Sequence, residues 1–257
     1  MTYYPIQESG SAAQFPIVRT RRWRTLETRT LGGHVARGLQ PEARRVQWQL
    51  DYVDLSDTEA GALLDLFEQS IGGLKSFVFV DPLANLMRDS ERIGQGHWIL
   101  SGGVSASASG AATPAVFQVT NSSQAAGTLG QSLILPPGRQ FTVSCWVLGG
   151  AGQTVGLRIG GHLRQVTTAG AWQRVWLTAA GEGMGSTFCA LELAAGGVVS
   201  VHSIQLEQQP TPSGYRAGSA SGGVYLEARF EQESLDVVAS GPNRNEVRVK
   251  LVSRLTE

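Results

Sequence analysis

Between residues 98 and 206 the chain is cut into short apolar runs separated by Gly, Ser and Pro, and no segment there keeps a helical period. The runs fall at 116–120, 131–135, 141–148, 155–159, 172–178, 187–193 and 198–206. Strands this short cannot bury a face singly, so their regular spacing predicts two sheets closed on each other, a β-sandwich or jelly roll. In Phe141-Thr142-Val143-Ser144-Cys145-Trp146-Val147 the period of two puts Phe141, Val143, Cys145 and Val147 on one face and Trp146 on the other. The expectation for Trp146 is packing under a loop on the second face; the alternative is an exposed platform for a sugar.

The flanks read differently. Val46-Gln47-Trp48-Gln49-Leu50-Asp51-Tyr52 alternates as a half-buried strand. Ser56 then opens a helix over about 56–71: its hydroxyl reaches the Glu59 amide, the Glu59 carboxylate reaches back, and Ala60, Leu63, Leu64, Phe67 and Ile71 supply the apolar face. Gly72 and Gly73 end it, because glycine takes a left-handed cap without steric cost. Leu74-Lys75-Ser76-Phe77-Val78-Phe79-Val80 follows as a second strand, closed by Asp81-Pro82. Near the N-terminus, Arg19, Arg21, Arg22, Arg24, Arg29 and Arg37 accompany a strand and a Gly32-Gly33 turn. With Trp23 as the one interleaved aromatic, they read as a solvated strand face or a subunit contact rather than a nucleic-acid patch. Late in the chain, Val224, Leu226, Ala228 and Phe230 alternate against Tyr225, Glu227 and Arg229, and residues 245–252 alternate again.

Charge distribution marks the domain plan. Only seven of the 42 charged residues fall within 96–214. The economical arrangement is a discontinuous β-domain, 1–85 with 215–257, around an inserted jelly roll, 86–214. The fold class is therefore mainly β, an interrupted barrel or sandwich with one helix plus an antiparallel sandwich. Lys plus Arg and Asp plus Glu are 21 each, so net charge suggests neither bulk nucleic-acid binding nor an acidic tail. No apolar stretch marks a leader or a membrane insertion, and a cytosolic site of synthesis is expected. Cys145 and Cys189 read as reduced core thiols, with a bridge as the lesser alternative.

Catalytic chemistry is hard to find. His34, His97, His162 and His202 are scattered without metal-ligand spacing, so no metal and no cofactor are expected. Gly149-Gly150-Ala151-Gly152-Gln153-Thr154 lacks the lysine of a phosphate loop and reads as a hairpin turn. Glu227, Glu231 and Glu233 share a strand face, whereas a glycosidase pair must face across a cleft, so the chain is read as non-enzymatic. Asn121-Ser122-Ser123 matches the glycosylation triplet, a match common by chance. Trp98, Trp146, Trp172 and Tyr215 are the aromatics offered as glycan contacts.

Taken together, Arg44-Arg45-Val46-Gln47-Trp48, the helix, Gly73-Leu74-Lys75-Ser76-Phe77-Val78-Phe79-Val80-Asp81-Pro82 with Asn85, and Ala228-Arg229-Phe230-Glu231-Gln232-Glu233-Ser234-Leu235 resemble the distal tail proteins of bacteriophages and gene transfer agents. That resemblance covers both ends, roughly half of the chain. Asn85-Leu86, Trp98, residues 141–147, Gly170-Ala171-Trp172-Gln173-Arg174-Val175, Ile204-Gln205-Leu206-Glu207 and Thr211-Pro212-Ser213-Gly214-Tyr215 resemble the galactose-binding-like, carbohydrate-binding jelly rolls of tail and fibre proteins. The resemblance implies a virion protein at the distal end of the tail, assembled in the host cytoplasm. Its partners would be its own copies in a ring, usually a hexamer, with the tail tube protein, the tip or baseplate hub and the tape-measure protein. DNA would pass only through the lumen, and the outer jelly roll would meet host glycans. The alternative is a carbohydrate-binding protein or small glycan-active enzyme.

Overall fold

The structure is a computed structural model that describes residues 2–40, 43–110, 112–183 and 185–255. Its elements in chain order begin with β1 (Ile17–Arg22), β2 (Thr25–Arg29), β3 (Val35–Leu39), β4 (Arg45–Leu55), α1 (Asp57–Gln69) and β5 (Phe77–Val80). Ten strands follow: β6 (Ile99–Ser101), β7 (Val104–Ala108), β8 (Phe117–Asn121), β9 (Gly127–Ile134), β10 (Gln140–Gly149), β11 (Thr154–Ile159), β12 (His162–Thr167), β13 (Gln173–Ala180), β14 (Ser186–Leu193) and β15 (Val198–Glu207). The chain closes with β16 (Val224–Phe230), β17 (Val237–Gly241) and β18 (Arg244–Arg254). The fold is mainly β with one helix, and no closed barrel forms among the described residues. Two units result: Met1–Val80 with Tyr225–Glu257, and Asp81–Val224.

In the first unit the sheet order is β1-β4-β18-β16-β5, with β17 also paired to β18. The period of two carries Val46, Trp48, Leu50 and Tyr52 of β4 and Val247, Val249 and Leu251 of β18 into one core. Trp48 is the hub: its ring meets Phe79 at 4.9 Å and Tyr225 at 4.7 Å, both edge-on. Helix α1 adds Ala60, Leu63 and Leu66 to this core. Its capping box is formed, Glu59 N donating to Ser56 Oγ (3.2 Å) and Ser56 N to Glu59 Oε2 (2.8 Å).

Three local expectations are corrected. The helix buries Leu66 and only partly Leu64, while Ile71 lies beyond the C-cap Ser70, exposed and at φ +51, one residue before Gly72 at φ +59. In β16 the alternation breaks: Tyr225 is buried against Trp48 and Leu226 is exposed, because an indole-phenol contact buries more apolar surface than a leucine would. The strand stops at Phe230, so Glu231 and Glu233 lie past its end; Glu231 accepts from Gln47 Nε2. Strands β2 and β3 form a separate two-stranded hairpin in which every residue is exposed.

The second unit is a sandwich of two five-stranded antiparallel sheets, β13-β10-β15-β8-β7 and β12-β11-β14-β9-β6. Phe141, Val143, Cys145 and Val147 fill it from one sheet, and Leu129, Leu157, Cys189 and Leu191 from the other. Both cysteines are free and buried, and burial pushes each thiol up to about 12. A Cβ on Gly130 would stand 2.3 Å from the Cys189 carbonyl, so only glycine lets β9 and β14 pair there. Residues 149–154 do not make the expected hairpin: they carry the chain from β10 in one sheet to β11 in the other. That placement follows from core closure, which local turn chemistry does not report. Asn121 is buried, and its Nδ2 donates to the carbonyls of Ala125, Leu193 and Ala194, so the glycosylation triplet is a structural clasp.

Candidate functional site

The outward face of the β13-β10-β15-β8-β7 sheet has two halves. On one half Thr142, Ser144, Gln205 and Glu207, all nearly inaccessible, lie beneath residues 208–216. Thr142 Oγ1 donates to Gln209 O (2.6 Å), Thr178 Oγ1 to Pro210 O (3.0 Å) and Arg174 to Ser213 O (2.5 Å). Glu207 accepts from Ser213 N at 2.8 Å and Ser213 Oγ at 2.5 Å. These contacts satisfy a polar sheet surface that would otherwise lose its water without compensation. The segment is thus a strap, and Arg216 N, donating to Gln205 Oε1 at 2.7 Å, fixes its end.

The other half is open and aromatic. The register of β10 against β15 sets Trp146 directly opposite His202. Their rings are parallel within 5° at 6.0 Å between centroids. Trp172, from the turn before β13, reaches the same imidazole at 4.6 Å and 65°. Trp176 faces the same side one strand out, opposite Ser144, with the Arg164 guanidinium 5.2 Å from its ring centre. The three indoles are 36 %, 39 % and 40 % exposed. Trp146 therefore does not pack under a loop as expected, because the strap stops short of it.

A bulge creates this arrangement. One residue of β10, Cys145, stands against Ser203 and Ile204 of β15, and Ser203 takes φ +55 to absorb the extra residue. Without that step His202 would not be in register with Trp146. Ser203 Oγ also holds His202 Nδ1 at 2.9 Å, which leaves Nε2 for another partner. Burial holds His202 below the ordinary imidazole range, with the Glu91 carboxylate pulling the other way.

Of the four aromatics read from sequence, the fold brings Trp146 and Trp172 together. Trp98 is 7 % exposed, its indole N–H donating to Asp89 O at 3.1 Å, so it presents no open ring face. Tyr215 is half-buried; its hydroxyl donates to Glu91 and lies 2.8 Å from Ser90 Oγ, and burial with the Glu91 contact raises its pKa. His202 is the site residue that sequence reading missed, because its pairing with Trp146 is set only by the bulge. Among the described residues no group of three or more His, Cys, Asp or Glu is placed to hold a metal ion, and no helix is long and apolar enough to cross a membrane.

No protein-family model matches the chain, and no curated protein matches it. Several solved structures resemble about half of it. A domain of tailspike protein 4 from bacteriophage CBA120 is 14% identical over 51% of this chain and 22% of its own length, with a TM-score of 0.39. The chain thus spans about a fifth of that tailspike domain. A xylan-binding domain of carbohydrate-binding module family 22 is 15% identical over 51% of this chain and 99% of its own, TM-score 0.39. A family 61 module, solved with β-1,4-galactotriose, is 18% identical over 49% and 99%, TM-score 0.37. At these levels the chemistry of the face has to be judged from its own residues.

Proposed function

We propose that the open face of the Asp81–Val224 unit binds a glycan. The observation that carries this reading is the pair of exposed indoles, Trp146 and Trp172, converging on His202. Pyranose rings present faces of C–H groups that stack on indoles, and they are ringed by hydroxyls that need directed partners. Here the indoles supply the stacking surface and His202 Nε2 a directed hydrogen bond. Glu91, which accepts from Ala115 N and Tyr215, holds the rim. Binding rather than hydrolysis is favoured because Glu207 lies spent beneath the strap and Glu91 already accepts two hydrogen bonds. The full chain on a glycan array should give saturable binding to a defined set. Trp146→Ala and Trp172→Ala should each weaken it by roughly 1–2 kcal/mol, about five- to thirtyfold. Unchanged binding in both variants, with folding intact, would remove this reading.

The first unit supports a second, architectural half of the proposal. A two-stranded hairpin is marginal on its own in water. Yet β2–β3 stands fully exposed with Trp23, Leu26, Leu31, Val35 and Leu39 uncovered. Such an arm favours assembly with further copies. With the tail-protein resemblance of both chain ends, this supports a ring, of six copies on that resemblance, at the distal end of a phage-type tail. Tail tube and tip or baseplate hub would be its axial neighbours, tape-measure protein and DNA would pass its lumen, and assembly would occur in the host cytoplasm. Negative-stain microscopy with light scattering tests it: rings of uniform diameter support the architecture, and a monomer at all concentrations removes it.

A further inference from the structure

Charge in the first unit is segregated along the chain. Residues 17–45 hold eight arginines and two glutamates; residues 51–68 hold six carboxylates and no lysine or arginine. Most of those carboxylates are engaged within the unit. Asp51 pairs with Arg248 at 2.5 Å, Asp54 with Arg244 at 2.7 Å, Asp57 accepts from Asn245, and Glu59 belongs to the capping box. Asp65 and Glu68 are the remainder. Both are exposed, and neither side chain has a hydrogen bond or ion pair among the described residues. They sit toward the C-terminal end of α1, whose last turn carries no basic residue. Carboxylates at that end oppose the helix dipole. The unit's own nearby cation, Arg229, is held on the Gly73 and Leu74 carbonyls and makes no ion pair with either carboxylate among the described residues.

Directly beyond them stand two uncovered apolar side chains, Ile71 at 56 % and Leu74 at 65 % exposure. Ile71 is a β-branched residue at φ +51, a conformation unfavourable for its side chain. The turn that closes the helix, Gly72 N on Phe67 O and Lys75 N on Ser70 O, holds Ile71 in that conformation with its side chain uncovered. The patch is therefore acidic and apolar together: Asp65, Glu68, Ile71, Leu74.

The hairpin has the complementary composition. Register places Thr25, Glu27 and Arg29 on one face with Leu39, Arg37 and Val35. Arg29 and Arg37 share the single carboxylate of Glu27, at 3.2 and 3.3 Å, which leaves a net positive charge between Val35 and Leu39. Diagonal residues across a hairpin are about 7–8 Å apart, and helix positions i and i+3 about 5–6 Å, a mismatch that long side chains span. The geometry points to docking of the β2–β3 hairpin of one copy on the Asp65, Glu68, Ile71, Leu74 patch of a second copy. This rests on the ring reading and names its contact. Exposed ion pairs are individually weak, so burial of the leucine, valine and isoleucine side chains supplies the affinity and the charges fix orientation and partner. Because the two surfaces differ, the contact is heterologous and propagates head to tail, closing as a ring or running on as a filament.

The test uses full-length chain in light scattering and sedimentation velocity. Wild type should assemble. Arg29→Glu with Arg37→Glu, and separately Asp65→Arg with Glu68→Arg, should each lower association at least tenfold, and equimolar mixing of the two double variants should restore complexes. Circular dichroism and glycan binding confirm that the variants are folded. Wild-type assembly that both variants share unchanged would overturn the hairpin contact while leaving the ring intact. A wild type that stays monomeric would overturn both.

Discussion

His202 illustrates how much one side chain can take from its setting. Its imidazole meets two indoles, its Nδ1 is engaged by Ser203, and burial lowers its pKa in the folded chain. The unfolded chain therefore binds this proton more readily than the folded one. His202 then contributes stability that is fully present above the unfolded imidazole value, about 6.5, and is lost as pH falls through its lower folded value. Thermal melts of wild type and His202→Gln between pH 8 and 5 should diverge in that window, with wild type losing more on acidification. Parallel curves would show that this imidazole does not feel its surroundings. The same substitution should weaken glycan binding at pH 8, where the imidazole is neutral in both states.

Helix α1 is the element whose signals were most local, and its start is the most legible feature of the chain. Ser56 and Glu59 form the reciprocal cap that their spacing predicts. Ser56→Ala should cost about 1 kcal/mol, read as a lower urea midpoint with an unchanged slope. Its end was less legible. The left-handed residue is Ile71, with Gly72 following, because Gly72 N closes on Phe67 O and Lys75 N on Ser70 O, drawing both residues into the turn. In strands the same division appears: β10 follows its alternation from Phe141 to Val147 and β4 from Val46 to Tyr52, where a bulge at Asp54 then brings Leu55 inward, whereas β16 changes face where Tyr225 meets Trp48. Edge strand β12 carries little apolar signal, because its residues are mostly exposed, and β6 is too short at three residues to show a period.

At the scale of the molecule, the two proposed activities depend on different forces. Glycan stacking is short-range and apolar, so salt should hardly change it. Hairpin docking is oriented by exposed charges, which salt screens over roughly 3 Å at 1 M against about 10 Å at 0.1 M. Raising NaCl over that range should shift the full chain toward smaller species while glycan affinity stays constant. If both respond together, the two surfaces are not independent. A net charge of zero fits this picture, since arginine-rich and carboxylate-rich stretches balance over the whole chain.

Sequence alone determined the class: periods of two, one capped helical segment and glycine-punctuated short runs are local properties, written within a few residues of where they act. It also set Trp146 on the face opposite Phe141, Val143, Cys145 and Val147, and named Trp172 among the aromatics a glycan could use. The fold decided what those residues become. Trp146 and His202 are 56 positions apart and meet through a strand register shifted by one bulge residue. Trp98 was removed from the surface by a loop that folds over it, and the strap of 208–216 selected which half of the sheet stays open. Register, bulges and coverage are set by the closing of whole sheets over a shared core, and no window of neighbouring residues encodes them.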